Sequence, residues 1–406
     1  MDRIPPELSA RILSFCGPSD LASFSQASVG SRNHVYGTED QYIWREVFLN
    51  TFDEPRRDAI GHPQLQDQNG SFNWREELQK RIRAGWKLDD LGILVRVLLE
   101  ASPDDGTGEE SKNARWVDRV LRESKVLGND TTVNGARLRA YVSLTHEQGE
   151  EDERERVLEK MRIKSRCLVY DLRNYFPPNG WWPLDNEKEI DWVHLEHMAN
   201  VVMMNLREIQ TLWRLRRPPI GLENVRPFWG RGEDWAGVEG TWRRYVCFMD
   251  YRDLFTFNFP AGRSPGFFQD KRFREATRLI EVKLKLASKD RLKHPTLVPP
   301  HANGTEQYPT LYFHGTSKGA TGNEATLEGC VWVSAKDSSV RWWFTTIHGD
   351  GAQTWCSQGV QMGCMGSKAG VVGNWGTVEH EMGDPVGPFW LWKVEDGDAP
   401  CLIDFT

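Results

Sequence analysis

In the C-terminal half of this chain, apolar and polar residues alternate in short runs, and glycines punctuate the runs. Val246 and Phe248, then Phe255, Phe257 and Phe259, then Ile280, Val282, Leu284 and Leu286 recur at every second position, the last set against Glu281, Lys283 and Lys285. The pattern continues through Val331 and Val333, through Val340, Trp342 and Phe344 opposite Arg341, Trp343 and Thr345, and through Val360 and Met362 opposite Gln361. Successive side chains of a strand face opposite ways, so this period predicts half-buried strands. Glycines at 351, 359, 363, 366, 370 and 373 mark turns between them. Short strands with Gly-rich turns predict an antiparallel sheet that packs on another sheet or closes on itself. Closure removes exposed strand edges, which favours a barrel. One long helix interrupts, near residues 190–213, where Trp192, Leu195, Met198, Ala199, Val202 and Leu206 keep a helical period.

The beginning of the chain has a different grammar. Pro5 and Pro6 announce a helix, because the amide that proline lacks is unpaired in a first turn anyway. Leu8, Ile12 and Phe15 then share one face, and Gly17 and Pro18 end the helix. Ser19 is expected to cap a second helix, with Asp20 in its first turn and Leu21 and Phe24 on one side. Thr38 and Gln41 form a capping-box pattern before a third, carrying Trp44, Val47 and Phe48. Three short helices in about fifty residues cannot bury all their apolar positions internally, so a partner or the following region should cover some of them.

Between these two parts the chain reads as a helical extension. Trp74, Leu78 and Ile82 give one stripe, and Leu91, Leu94, Val95, Leu98 and Leu99 a second. Residues 104–112 read as an exposed acidic loop, with a helix near Trp116, Val120 and Leu121. The charge block at 147–155 is expected to be a solvated linker and the main domain boundary.

The N-terminal pattern resembles the F-box. In that family a Leu-Pro-x-Glu-Leu start, an Ile-Leu pair, an Asp-Leu step and a late tryptophan form a helical unit that docks on the Skp adaptor of cullin-RING ubiquitin ligases. The matching positions are Ile4, Pro5, Glu7, Leu8, Ile12, Leu13, Asp20, Leu21 and Trp44, with Ile4 in place of the usual leucine. Ser31-Arg32-Asn33-His34 keeps an arginine but lacks the aromatic often found just after it. The resemblance implies an adaptor-binding set of Ile4, Pro5, Pro6, Glu7, Leu8, Ile12, Leu13, Phe15, Leu21, Phe24 and Trp44. The segment from Trp235 onward resembles a group of fungal F-box proteins, and its run of strands resembles the calycin-like barrel by which some F-box receptors grip substrates. The implied class is α+β: an F-box at 1–52, a helical extension with linkers at 53–155, and a mostly antiparallel β-rich recognition domain at 156–406.

Composition narrows the function. The chain has 406 residues, a net charge of −7 and a pI near 5.9, with no dominant basic cluster, which argues against nucleic acid or an anionic membrane as partner. Cysteines at 16, 167, 247, 330, 356, 364 and 401 are scattered without a Cys-x-x-Cys pair, as expected of reduced thiols in a cytoplasmic or nuclear protein. No run approaches the roughly twenty apolar residues of a membrane span, and a helix beginning at residue 5 leaves no room for a signal peptide.

Enzymatic motifs do not stand out. Gly230-Arg231-Gly232 and Gly363-Cys364-Met365-Gly366 read as turns rather than phosphate cradles, and no Gly-x-Ser-x-Gly elbow occurs. His194 and His197 lie three apart without a third ligand at metal spacing and read as surface histidines. Cys356 and Cys364 fit no metal knuckle, and Glu379, His380, Glu381 and Asp384 read as a solvated turn. No catalytic residue, cofactor or metal is therefore expected. Of 18 tryptophans, 14 lie from Trp181 onward, so recognition is expected in the β-rich region. Arg341, Trp343, Gln361 and Trp375 are its candidate substrate-binding residues, since guanidinium and aromatic groups carry much of the energy in interfaces. The expected function is that of a non-catalytic substrate receptor, joined through the Skp adaptor to cullin and holding an unidentified protein. A lipocalin-type small-molecule binder and an adaptor-bound scaffold outside any ligase are the alternatives.

Overall fold

The computed structural model describes residues 4–37, 40–55, 72–146, 150–213, 217–228, 232–259, 265–270, 272–322, 324–349, 353–381, 383–397 and 403–405. Thr38, Gly230, Arg231, Gly351, residues 147–149 and Cys401, which figured in the sequence reading, lie outside them. Two compact units result, Met1–Val126 and Leu127–Thr406. The division therefore falls ahead of the 147–155 charge block. From Glu151 that block is helix, with Glu151, Asp152 and Glu153 in a first turn where carboxylates complement the positive end of the helix dipole.

The first unit is helical. Its helices are α1 (Pro6–Leu13), α2 (Pro18–Ala27), α3 (Val29–Tyr36), α4 (Tyr42–Thr51), α5 (Trp74–Lys87), α6 (Leu91–Leu99) and α7 (Lys112–Ser124). Gly17, not Ser19, is the N-cap of α2, and its amide donates to the Asp20 carboxylate at 3.1 Å. Helix α3 was not expected. Ser28 takes an extended conformation and accepts the Ser31 amide with its side chain, so the chain stops and restarts there. Trp44 donates its indole N–H to the Val35 carbonyl at 3.1 Å, tying α4 to α3. Phe48 meets Trp74 edge-on and Phe52 meets Trp116 likewise. The buried Arg81 guanidinium lies over Phe48 and Phe52 and pairs with Glu77 and Glu100.

Asp53, just past α4, joins the ends of this unit. Its carboxylate accepts the amides of Ser102 at 2.8 Å and Lys112 at 2.9 Å, while its own amide donates to Asn113.

The second unit is built on a barrel. Strands β1 (Gly240–Phe248), β2 (Ala276–Ala287), β3 (Leu311–Lys318), β4 (Glu324–Val333), β5 (Val340–His348), β6 (Gln353–Gln361), β7 (Val371–Thr377) and β8 (Gly387–Val394) each pair antiparallel with the next, and β8 pairs with β1. The sheet thus closes as an up-and-down barrel, and the protein is α+β, as the alternation predicts. A short β9 (Ile403–Phe405) pairs with β2 beyond the end of β3. Outside the barrel, α8 (Val133–Val142) and α9 (Glu151–Val169) pack on α10 (Trp192–Trp213), and α10 lies against β1, β7 and β8. The long helix expected near 190–213 is therefore α10.

One expected strand is a helix. Phe255, Phe257 and Phe259 fall in and just after α11 (Tyr251–Asn258), capped by Asp250, whose carboxylate accepts the Arg252 amide. The buried face is Leu254, Phe257 and Asn258, a spacing of three and one, while Phe255 is exposed. Leu254 and Phe257 pack with Tyr170, Met249, Phe268 and Phe273 in a satellite core.

Replacing Asp53 with alanine strips acceptors from several buried amides and should destabilise the first unit by about 3 kcal/mol, since hydrogen bonds to a charged group contribute about 1.5–3 kcal/mol each. Thermal unfolding of the variant checks this; an unchanged transition would show the linkage to be dispensable.

Candidate functional site

Helix α1 has two unlike faces. Ser9 and Leu13 are buried, whereas Leu8, Ile12 and Phe15 are 56%, 48% and 72% exposed and Ile4 is 38% exposed. Leu8 and Ile12 lie one turn apart on α1, and Phe15 follows in the turn just past its C-cap, Ser14. Arg11 flanks this apolar group, its guanidinium over the Phe15 ring and donating to the Tyr42 hydroxyl at 3.2 Å. Pro5, Pro6 and Glu7 are exposed beside it, and Phe24 is half-buried. Leu13, Leu21 and Trp44 are 2%, 1% and 5% exposed, so these three belong to the core beneath the face rather than to the face itself.

The barrel candidates do not form one site. Directly paired residues share a face of the sheet, so the register sorts every barrel side chain as inward or outward. Trp242, Arg244 and Val246 of β1 point inward with Trp342 and Phe344 of β5, and Trp242 meets Trp342 at 5.4 Å across the interior. By the same parity Arg341 and Trp343 point outward, and both are buried. Arg341 is tied to Asp337 at 2.9 Å, to Ser339 and to the Lys188 carbonyl. Neither residue lines a mouth.

Gln361 and Trp375 do point inward, but at opposite ends. Gln361 accepts the Trp342 indole N–H at 3.1 Å and donates to the Ser367 carbonyl. That end is closed by loops: Cys364 donates to the Val225 carbonyl, Ala369 to that of Asn224, and the Trp235 indole to that of Pro309. Gly363 sits there at φ +90°, where a Cβ would lie 2.2 Å from Val225 Cγ1, so only glycine fits this turn.

Trp375 lies half-buried at the other end, its indole N–H on the Cys247 carbonyl at 3.1 Å. Trp355 meets it edge-on at 5.3 Å and Phe248 at 6.2 Å. Between the two ends, aromatic rings occupy the interior. Phe313 and Phe344 are 6.4 Å apart, Phe344 and Phe389 5.7 Å, and a Cβ on Gly329 would strike Phe344 and Phe313.

Arg244 stands among these rings, a residue the sequence reading passed over. Its guanidinium lies 5.1 Å from the Phe344 centroid and 5.0 Å from that of Phe389, and donates to Ser357 Oγ at 2.6 Å and Thr346 Oγ1 at 3.4 Å. Burial pushes its pKa down to about 9. The available signal was parity alone, since Arg244 alternates with Trp242 and Val246.

The histidines expected at the surface are buried in α10. His197 Nδ1 is 2.9 Å from Ser165 Oγ of α9, and His194 Nε2 is 3.2 Å from the Tyr175 hydroxyl. Burial pushes His194 down to about 4 and His197 to about 3. Glu196 pairs with Arg139 of α8 at 2.9 Å. Glu275 accepts from Arg166, Tyr170 and Asn205 nearby. At the 377–384 turn, Asp384 accepts the Thr377 hydroxyl and the Glu381 amide, and His380 stacks on Trp181 at 4.3 Å.

Burial pushes the Cys356 thiol up to about 12, far from a reactive thiolate. Among the described residues no group of three His, Cys, Asp or Glu side chains is gathered for a metal ion, and no helix is long and apolar enough to cross a membrane. Set against protein-family models, curated proteins and solved structures, the chain matches none.

Folding keeps His194 and His197 neutral, so below about pH 6.5 the unfolded chain takes up protons that the folded chain refuses. Stability present at neutral pH is thus lost as pH falls, by about 2 kcal/mol per histidine on reaching pH 5. His197→Gln should remove about that much of the pH response between 7.5 and 5. Denaturant titrations at both pH values measure it, and an undiminished response would show that His197 titrates freely.

Proposed function

We propose that this chain is a non-catalytic substrate receptor of an SCF-type ubiquitin ligase. Its N-terminal helical unit holds the Skp adaptor, and through it cullin, while the β-rich unit takes a target protein. The reaction is promoted by proximity: two proteins held on one receptor meet at a high effective concentration. Such a role belongs in the cytoplasm or nucleus.

The reading is supported above all by the exposed Leu8 and Ile12 on α1 and Phe15 just past its end, in the segment that resembles an F-box. Large apolar side chains gathered on one exposed face cost solvation free energy unless a partner covers them. A stable adaptor interface buries about 1,200–2,000 Å², with Leu8 and Ile12 near its centre. Leu21, also expected at that centre, supports the face from beneath. The half-buried Trp375 remains a candidate for target binding on the barrel. The alternative of a small-molecule binder draws support from the inward Arg244, and does not conflict with adaptor docking.

Leu8→Asp combined with Ile12→Asp should abolish co-purification with the adaptor and leave thermal unfolding nearly unchanged, because exposed substitutions shift stability by about 0.5 kcal/mol or less. Retention of the adaptor by the folded double variant would refute the docking. Recovery of cullin with the wild-type complex separates a ligase receptor from a scaffold that binds the adaptor alone.

A further inference from the structure

The inward-facing positions of the eight barrel strands are oddly charged. Reading the register around the closed sheet, they include Arg244, Arg278 and Lys393 and no aspartate or glutamate. Outward arginines are treated differently: Arg243 pairs with Glu281 at 2.7 Å, and Arg341 with Asp337. Arg278 lies at the rim, opposite Asp404 of β9 in the ladder. Lys393, at the closed end, donates to the Gly237 carbonyl. Arg244 is deeper, and only neutral hydroxyls receive its hydrogen bonds among the described residues.

That arrangement leaves Arg244 incomplete. Its Nε–H is buried and has no acceptor, and the flanking Phe344 and Phe389 rings offer cation–π attraction but no lone pair. A buried guanidinium without a counter-charge is unfavourable, and a well-packed apolar residue is commonly at least as stable in such a place. Stability therefore does not explain an arginine here. A ligand does, because a planar carboxylate matches the guanidinium fork.

The end where Trp375 stands is the partly exposed one. Phe248, Trp355, Trp375 and His348 are inward-facing and half-buried. His348 is held below its usual range by burial and then by the charges of Arg278 and Arg244.

We infer that the barrel binds a small organic carboxylate, its acid group on Arg244 and its flat apolar body against Phe248, Trp355 and Trp375. The site is independent of adaptor docking and stands or falls on its own test.

Isothermal titration of the purified full chain with indole-3-acetate and with neutral indole-3-acetamide distinguishes the charge from the ring. The carboxylate should bind at least about tenfold more tightly than the amide, the difference one charge-assisted hydrogen bond makes. Arg244→Met should abolish that preference while unfolding at the same or a higher temperature. Decanoate, titrated in parallel, replaces the flat body with a chain. Equal affinity for acid and amide, or no binding of either carboxylate up to about 1 mM, overturns the site. So does an Arg244→Met variant that retains the preference. If Arg244→Met fails to fold and Arg244→Lys restores folding without any carboxylate preference in the wild type, the arginine is structural and the inference is wrong.

Discussion

Six residue pairs, from Thr241↔Val394 to Val246↔Phe389, join the first barrel strand to the last, and the interior depends on their register. Side chains of a strand alternate with period two, so a slip of one residue would turn Trp242 and Arg244 outward and bring Arg243 and Tyr245 in. The outer face opposes that slip. Arg243 meets Glu281 of β2 there, and β1 is paired along its whole length to β2 on its other side. Adjacent arginines thus reach opposite environments by backbone geometry alone.

That separation gives two arginines of one barrel different surroundings. Arg341, facing outward, finds its partners in Asp337, Ser339 and the Lys188 carbonyl. Arg244, facing inward, meets two rings and two hydroxyls. Phe313, Phe344 and Phe389 leave little room for a wide lipocalin-type cavity, while the opposite, half-buried end keeps aromatic surface near a charge that lacks its complement. A narrow site of mixed aromatic and cationic character fits this interior better than a spacious apolar one.

The helical unit divides its apolar residues in a comparable way. Leu13, Leu21, Val35 and Trp44 are core residues, and Arg81 and Asp53 add buried, paired charge to the unit, whereas Leu8, Ile12 and Phe15 stay exposed. Val35 lies on the unexpected α3, while Leu8, Ile12 and Phe15 were legible as one helical stripe and Leu21 and Trp44 as members of two others. Which stripe turned inward was not, because a hydrophobic period marks a face without naming what covers it.

Local rules carried the α+β class, the antiparallel alternation, helix α10 and the proline-led start of α1, since period, capping and turn chemistry act over a few residues. They failed where two readings share a stretch. Phe255, Phe257 and Phe259 obey a strand period, yet Asp250 caps a helix whose buried face begins at Leu254, and the charged block after residue 150 is a helical first turn. Arg341 and Trp343 looked like a binding pair because their parity opposed the aliphatic face, but closure of the sheet made that face the outside, where both are buried. Sequence alone determined which residues share a side of each strand and helix. Only the tertiary structure decided which side became interior, because barrel closure and helix packing join residues more than a hundred positions apart, and with that choice Arg244, and not Arg341, turned inward.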